Sequence, residues 1–209
     1  MRTSVLNQNV LNAALGDLPL GGLRYIRKTG STNDLAITWA GEAAADMSLV
    51  IADEQTNGRG RNGRTWYSPA GASLAFSLIL KPDHEESQSI GLFTALAALA
   101  VVQAIKGLPG NLTPRIKWPN DVLVNDQKVC GILTESTWIG EKIEYLVIGV
   151  GINVSAGSVP SKELLNYPAT SLEEITCSKI DRIALLHDLL QGIIYWRGQL
   201  GKQSFLDAW

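Results

Sequence analysis

The stretch IEYLVIGVGINV, residues 143–154, decides the fold because it is apolar along nearly its whole length. A strand with one solvated face alternates apolar and polar residues, whereas a strand covered on both faces forms a continuous apolar run. We therefore expect residues 143–154 to be an internal strand of a sheet. Gly149 and Gly151 interrupt the run, which indicates either close approach of a ligand to the backbone or a bulge in the strand.

Further strand and helix patterns surround this stretch. Strands are predicted at residues 23–28, 48–54 and 73–80, and residues 115–137 are typical of a hairpin that turns at Asn125 and Asp126. Three helices are predicted: one begins at Ser31 as N-cap, with Asp34 at the capping-box position; one is alanine-rich; and one extends from about residue 181 to 200 with Leu186, Leu189, Leu190 and Ile193 on one side. The predicted class is α+β, a mixed β-sheet flanked by helices.

Composition limits the functional classes. The chain has 209 residues, 45% of them hydrophobic, which suits one domain with one core. Its net charge is −2 and its pI about 5.7, so a broad nucleic-acid surface is not expected. The two cysteines lack metal-ligand spacing and no secretion signal is evident, so we expect a cytoplasmic protein. The longest uncharged run, residues 87–105, favours a buried helix over a membrane span.

The most unusual segment is NGRGRNGRTWYS, residues 57–68. Glycines let backbone N–H groups converge and guanidinium groups bind phosphate oxygens in pairs, so the segment suggests a cradle for a polyphosphate or an acyl phosphate. An exposed mobile loop and a disordered RNA-binding segment are the alternatives. Trp66 follows the segment, where its ring either stacks on a purine or packs in the core.

The predicted hairpin carries a second cluster of charged groups. KWPND, residues 117–121, is followed by Lys128 after the turn. If the turn is tight, Leu123 pairs with Lys128, and Asp121 and Lys128 then lie on one face of the ladder. Such a pair could hold a magnesium ion and an anionic substrate; the alternative is an ordinary cross-strand ion pair.

Four motifs occur together and in order: STND at 31–34, GRGRNGRTW at 58–66, KWPNDVLVNDQKVCGIL at 117–133 and GVGINV at 149–154. With them the chain resembles the biotin protein ligases, also called biotin–[acetyl-CoA-carboxylase] ligases. The resemblance implies a catalytic domain of the biotin/lipoate ligase fold over residues 1–209. It also implies a reaction in two steps: biotin and ATP form biotinyl-5'-AMP and pyrophosphate, and a lysine of the biotin carboxyl carrier protein of acetyl-CoA carboxylase then takes the biotinyl group.

The resemblance also implies roles for individual residues. Catalysis is assigned to Lys128, Arg61 and Asp121. The biotin site comprises Ser31, Thr32, Asn33, Gln55, Gly58, Arg59, Lys128 and Gly131. The ATP site comprises Arg59, Arg61, Arg64, Trp66, Lys117, Asn120, Lys128 and Asn153. Asp121 would hold Mg²⁺ or meet the incoming lysine, and for Ser31 a helix N-cap is the structural alternative.

The chain departs from the family pattern at both ends. Few residues precede the first predicted strand, so we expect a monofunctional type without an N-terminal helix-turn-helix domain. The usual small C-terminal β-barrel is expected to be absent, because the chain ends at SFLDAW, residues 204–209. A homodimer through sheet edges is compatible with the resemblance. The alternative functions are a lipoate-type ligase and a non-catalytic module that binds biotin or RNA; the GRGR and KWPND motifs favour biotin.

The first prediction concerns DNA. The purified chain is expected to bind biotin and ATP but not operator-like duplex DNA, because its net charge is negative and the expected domain organisation lacks a DNA-binding unit. Salt-sensitive, sequence-selective binding in a gel-shift titration would contradict the prediction.

Overall fold

The computed structural model describes residues 6–165 and 167–209. In this part of the chain one mixed sheet contains eight strands: β1 (Gly22–Thr29), β2 (Ser48–Arg59), β3 (Thr65–Ser68), β4 (Ser73–Leu80), β5 (Arg115–Lys117), β6 (Asp121–Val124), β7 (Gln127–Ile139) and β8 (Lys142–Asn153). Their order is β1-β2-β4-β8-β7-β6-β5, and β3 pairs with β2. Only β1 and β2 are parallel among the described pairs; the others are antiparallel.

The helices of the described residues are α1 (Gln8–Ala14), α2 (Thr32–Gly41), α3 (His84–Ser87), α4 (Phe93–Lys106), α5 (Leu172–Thr176), α6 (Arg182–Arg197) and α7 (Gln203–Ala208). Helices α4 and α6 pack against each other, and α4 also contacts β5 to β8. Helix α2 packs against β2, β4 and β8. The core therefore has two parts, a large one around α4 and α6 and a small one under α2.

Strand β8 lies in the centre of the sheet between β4 and β7 and is buried on both faces, as its sequence predicts. Because side chains alternate along a strand, Ile148 and Val150 enter the large core, whereas Tyr145 and Val147 pack with α2. The other predicted strands at residues 23–28, 48–54 and 73–80 are present as β1, β2 and β4. The structure therefore has the predicted α+β class.

The hairpin of β6 and β7 turns at the predicted residues. Asn125 and Asp126 both have left-handed backbones, with φ of 50° and 59°, which is the geometry of a two-residue hairpin turn of type I′. Leu123 pairs with Lys128 as expected, and a register shift follows between Val122 and Leu123. The predicted long helix near the C-terminus is α6, which is capped by the Asp181 side chain.

Two local predictions were wrong. Strand β2 does not end near residue 54 but continues to Arg59, and it pairs there with β3, which the sequence did not indicate. A segment rich in glycine and arginine has low strand propensity, yet the backbone hydrogen bonds of the hairpin outweigh this preference. Ser31 occupies the N-cap position of α2 without a side-chain capping bond, so the predicted capping box with Asp34 does not form.

The uncharged run at residues 87–105 contains most of α4, whose side chains are largely buried in the core. None of the helices that the structure describes has the length and apolar character needed to cross a membrane.

Candidate active site

A cleft of about 520 Å³ opens on the face of the sheet that α2 covers, beyond the N-terminus of that helix. A volume of this size is typical of small-molecule sites. Tyr145 and Val147 of β8 lie under α2. Gly149 and Gly151 are on the same face of the strand and form the floor of the cleft. The cleft also contains residues from each of the four sequence motifs.

Side chains lie directly on the two glycines of the floor. A Cβ atom added to Gly149 would be 2.0 Å from Oδ1 of Asn33, and one added to Gly151 would be 2.4 Å from Cε2 of Trp66. The pairing of β8 with β4 runs without a register shift, so the bulge considered for this region is wrong. Glycine is needed here because Asn33 and Trp66 come within contact distance of the backbone.

A buried polar network surrounds Thr32 at the start of α2. Gln55 Oε1 accepts from the backbone N–H of Thr32 at 2.8 Å and lies 3.1 Å from Thr32 Oγ1. Ser77 Oγ lies 2.8 Å from Thr32 Oγ1 and 2.6 Å from Asn33 Oδ1. Ser31 is buried beside them and is not used as a side-chain cap. The network brings together four of the residues predicted for biotin.

Arg59 is held by two carboxylates. Its guanidinium donates to both oxygens of Glu135, at 2.9 and 2.7 Å, and lies 2.8 Å from Asp34. The hydrogen bonds to Glu135 raise the pKa of Arg59 above its ordinary value, although partial burial opposes the shift. Asn33 Nδ2 donates to the same Glu135 carboxylate at 2.7 Å. Arg59 is thus tied to the sheet and to α2.

Arg61 and Arg64 lie in the tight turn between β2 and β3, and their side chains are exposed at the cleft mouth. The turn is closed by a hydrogen bond from Gly60 N to Arg64 O at 2.7 Å, and Asn62 has a left-handed backbone with φ of 56°. Within residues 6–165 and 167–209, neither arginine forms an ion pair. Their charges are therefore available to an anion in the cleft.

The hairpin residues supply the opposite wall. Lys128 Nζ lies 2.7 Å from Asp121 Oδ1, and Lys117 Nζ lies 3.8 Å from Oδ2 of the same carboxylate. The expectation that Asp121 and Lys128 share a face is confirmed, and they form the ion pair considered as the alternative. Lys128 Nζ is also 5.5 Å from the centre of the Trp66 ring, and Lys117 lies over Tyr167.

The two asparagines predicted for ATP donate to protein carbonyl groups. Asn120 Nδ2 donates to Ile132 O at 2.8 Å, and Asn153 Nδ2 donates to Thr170 O at 3.1 Å. Both residues line the cleft, as does Gly131; Gly58, the remaining predicted biotin residue, is buried opposite Trp66 in the β2–β3 pair. The cleft therefore includes nearly all the predicted site residues.

A resident metal site is not built into the described residues. No group of three or more acidic, cysteine or histidine side chains is close enough there to bind an ion. Asp121 supplies a single carboxylate between two lysines. Such a donor set fits a magnesium ion that arrives with a polyphosphate and keeps several waters, because Mg²⁺ is usually held by one or two carboxylates and substrate phosphates.

Four residues of the site escaped the sequence reasoning: Asp34 as a partner of Arg59, Ser77, Glu135 and Tyr167. Ser77 had a usable signal, because it is a polar residue in the middle of strand β4, which is apolar apart from it and the first residue, Ser73. Glu135 had a weaker signal, as the only charged residue in the polar run 134–137 of β7. Asp34 and Tyr167 had none, since their partners are distant in the sequence.

Comparison with known proteins identifies the family of this fold and cleft. Residues 25–153 match the model of the Biotin/lipoate A/B protein ligase family. The chain belongs to this family. The matched residues include β1 to β8 almost entirely, and hence both walls and the floor of the cleft.

Individual members of the biotin/lipoate A/B protein ligase family are similar over most of the chain. The "Bifunctional ligase/repressor BirA" of Bacillus spizizenii is 42% identical over 80% of this chain, which spans only 51% of that protein. The "Biotin--[acetyl-CoA-carboxylase] ligase" of Paracoccus denitrificans is 35% identical, with 88% of this chain and 78% of the relative covered. A biotin protein ligase of Aquifex aeolicus, solved in complex with biotin and ATP, superposes with a TM-score of 0.75 at 31% identity, covering 89% of this chain and 74% of the other.

The second prediction concerns the two thiols of this ligase-family chain. Burial of Cys130 in β7 raises the pKa of its thiol, whereas Cys177 is exposed. Because the thiolate is the reactive form, iodoacetamide is expected to label Cys177 alone in the native protein and both cysteines after denaturation. Peptide mass spectrometry provides the measurement. The control is Cys177→Ser, which is expected to remain unlabelled as long as the protein is native. Native labelling of Cys130 would show that β7 opens at the cleft.

Proposed function

We propose that this chain is the catalytic domain of an ATP-dependent biotin protein ligase, which forms biotinyl-5'-AMP and transfers the biotinyl group to a lysine of a biotin carboxyl carrier protein. The observation that carries the proposal is the arrangement of the cleft. A buried polar pocket at Thr32 lies at one side, and Lys128, Asp121, Trp66 and the exposed arginines lie around the same space. The names of the relatives and the biotin and ATP in the Aquifex aeolicus complex support it.

The first step joins two anions. A carboxylate oxygen of biotin attacks the α-phosphorus of ATP, the bond to the bridging oxygen of the β-phosphate breaks, and pyrophosphate leaves with that electron pair. Positive charge must therefore be concentrated around both reacting groups. Lys128 would meet the biotin carboxylate and the α-phosphate, while Arg61, Arg64 and Lys117 would bind the phosphates. Trp66 would lie against the adenine.

The second step consumes the mixed anhydride. The neutral amine of a carrier lysine attacks the acyl carbon, AMP leaves, and the amine loses a proton as the amide forms. Asp121 is the carboxylate of the cleft best placed to meet that amine, because it lies beside Lys128 on the hairpin wall. The residues predicted for biotin at Ser31, Thr32, Asn33, Gln55, Gly58 and Gly131 would hold the ring system during both steps.

Magnesium belongs to this proposal as a companion of ATP. When bound, the ion would neutralise the phosphate oxygens and ease the departure of pyrophosphate. Asp121 is the residue that would contact it, with Lys128 remaining available to the substrate carboxylate. The proposal also includes a cytoplasmic location and a homodimer through a sheet edge. It includes no DNA partner, and the negative net charge supports this part.

Pyrophosphate release decides between the two acids of the family. With ATP and Mg²⁺, the chain is expected to release pyrophosphate in the presence of biotin and not of lipoate, since the polar pocket at Thr32 suits a ureido ring better than an apolar dithiolane. Release with lipoate alone would assign the chain to the lipoate type. Binding of biotin without release under any condition would indicate a non-catalytic binding module.

The third prediction concerns Lys128. Replacing it by alanine is expected to slow adenylate formation by roughly 10²–10³-fold, the usual loss when one donor to a developing charge is removed, while biotin affinity changes much less. The matched control is Lys142→Ala, which removes an exposed lysine at the far end of β8. An adenylation rate equal to that of the parent would show that the ion pair of Lys128 with Asp121 is structural only.

The fourth prediction concerns Arg61, which is exposed and lies in the middle of the β2–β3 turn. Arg61→Gly is expected to make adenylate but to lose it about 10- to 100-fold faster, because a charge-assisted contact of about 1.5–3 kcal/mol is removed. The escaping anhydride would then label lysines of a bystander protein. We also expect biotin to protect residues 57–65 from proteolysis in the parent and to protect them less in the variant.

The control for Arg61→Gly is Arg61→Lys, which keeps the charge and is expected to retain part of the intermediate. Bystander labelling is measured with biotin and ATP present and compared with the amount of adenylate made. Adenylate formation without any rise in bystander labelling would show that Arg61 does not retain the intermediate.

A further inference from the structure

We propose that Glu135 is a positioning residue that sets the direction of the hydrogen bonds reaching Thr32, and so gives the cleft its complementarity to the ring N–H of a cyclic urea. This inference deepens the proposed function and rests on it, because biotin is the cyclic urea concerned. Glu135 lies behind Asn33 and acts through it. The proposed chain of contacts runs from Glu135 through Asn33 and Ser77 to Thr32.

The orientation of the Asn33 amide follows from its partners. Its Nδ2 lies 2.7 Å from Glu135 Oε2 and 3.3 Å from Leu133 O. Glu135 also receives two bonds from Arg59, so it is an ionised carboxylate, which accepts hydrogen bonds and donates none. A backbone carbonyl likewise only accepts. The NH₂ group of Asn33 must therefore face Glu135 and Leu133, and its Oδ1 must face Ser77.

The next step depends on counting hydroxyl hydrogens. Ser77 has one hydrogen and two close oxygens, Asn33 Oδ1 at 2.6 Å and Thr32 Oγ1 at 2.8 Å. Asn33 Oδ1 has no hydrogen to give, so the Ser77 hydrogen goes to it. Thr32 then directs its own hydrogen to the oxygen of Ser77 or of Gln55, at 2.8 or 3.1 Å. In either arrangement both lone pairs of Thr32 remain free, whereas a turned Asn33 amide would send the Ser77 hydrogen to Thr32 and occupy one of them.

Gln55 completes the pattern. Its Oε1 accepts the backbone N–H of Thr32, which leaves the donors on Nε2 for another partner. An acceptor on Thr32 beside a donor on Gln55 matches the adjacent N–H and C=O groups of a ureido ring. A dithiolane ring offers neither group. By fixing the Asn33 amide, the charge of Glu135 thus keeps Ser77 from donating to Thr32, although 102 residues separate Glu135 from Asn33.

The test is a double-mutant cycle measured by calorimetric titration with biotin. Glu135→Gln removes the charge at nearly constant size and lets the new side chain donate as well as accept, so only the longer contact with Leu133 O still fixes the direction of the Asn33 amide. We expect the biotin Kd to rise about tenfold, the effect of weakening one charge-assisted hydrogen bond. In a Ser77→Ala background the chain of contacts from Glu135 to Thr32 is already broken. There, Glu135→Gln is expected to alter the biotin Kd less than about twofold.

The matched control is Asp46→Asn. It removes one of the two carboxylates of Arg197, outside the cleft, and leaves the bond between Glu135 and Asn33 in place, so biotin Kd is expected to stay within about twofold of the parent. If Glu135→Gln does not fold, Glu135→Met, which also removes the charge at similar length, provides the same cycle in the parent and Ser77→Ala backgrounds. Thermal unfolding of each variant verifies folding.

Two results would overturn the inference. One is an unchanged biotin Kd in Glu135→Gln; the other is a full effect of Glu135→Gln in the Ser77→Ala background, which would mean that Glu135 acts through Arg59 or the fold instead. Failure of the parent protein to bind biotin would overturn the proposed function, and it is distinguishable because it appears before any substitution is made.

Discussion

The close approach of side chains to the central strand is the constraint on which the cleft depends. Strand β8 is packed on both faces, and a side chain at position 149 or 151 would collide with Asn33 or Trp66. Glycine at both positions lets the side chains of Asn33, in the first turn of α2, and Trp66, in β3, lie directly against β8. The polar wall at Thr32 and the charged wall at Lys128 and Asp121 are therefore close enough to enclose one cleft.

The cationic groups of the glycine-arginine segment have different surroundings. Arg59, at the base of the turn, is neutralised by Glu135 and Asp34, and its position is thereby fixed. Arg61 and Arg64, at the tip, are exposed. A paired cation provides geometry, whereas an exposed cation can move to meet an arriving anion. One glycine-arginine segment can thus contain both an anchor and a mobile charge.

The sequence predicts the strands and the hairpin well because their signals are local. Asn125 and Asp126 specify a tight turn, and the turn in turn sets the pairing of Leu123 with Lys128, so the neighbourhood of Asp121 and Lys128 could be predicted. Strand β3 could not, because it is only four residues long and follows a glycine-arginine segment, and its pairing with β2 decides its conformation. The predicted capping box failed for a related reason on one side, since the Asp34 carboxylate is paired with Arg59.

The amino-acid sequence by itself determined the class of the fold, the central strand and the membership of the motif residues in one site. The first two features depend on periodicity and turn residues, which act over a few residues, whereas the shared site of the motif residues was implied by the resemblance to the biotin protein ligases. Only the tertiary structure decided the partners of the polar groups. Glu135 meets Arg59 across 76 residues and Asn33 across 102, and sequence spacing carries no information about such pairs. Because a buried polar group must find a partner wherever the fold places one, the direction of the hydrogen bonds at Thr32 follows from packing rather than from any motif.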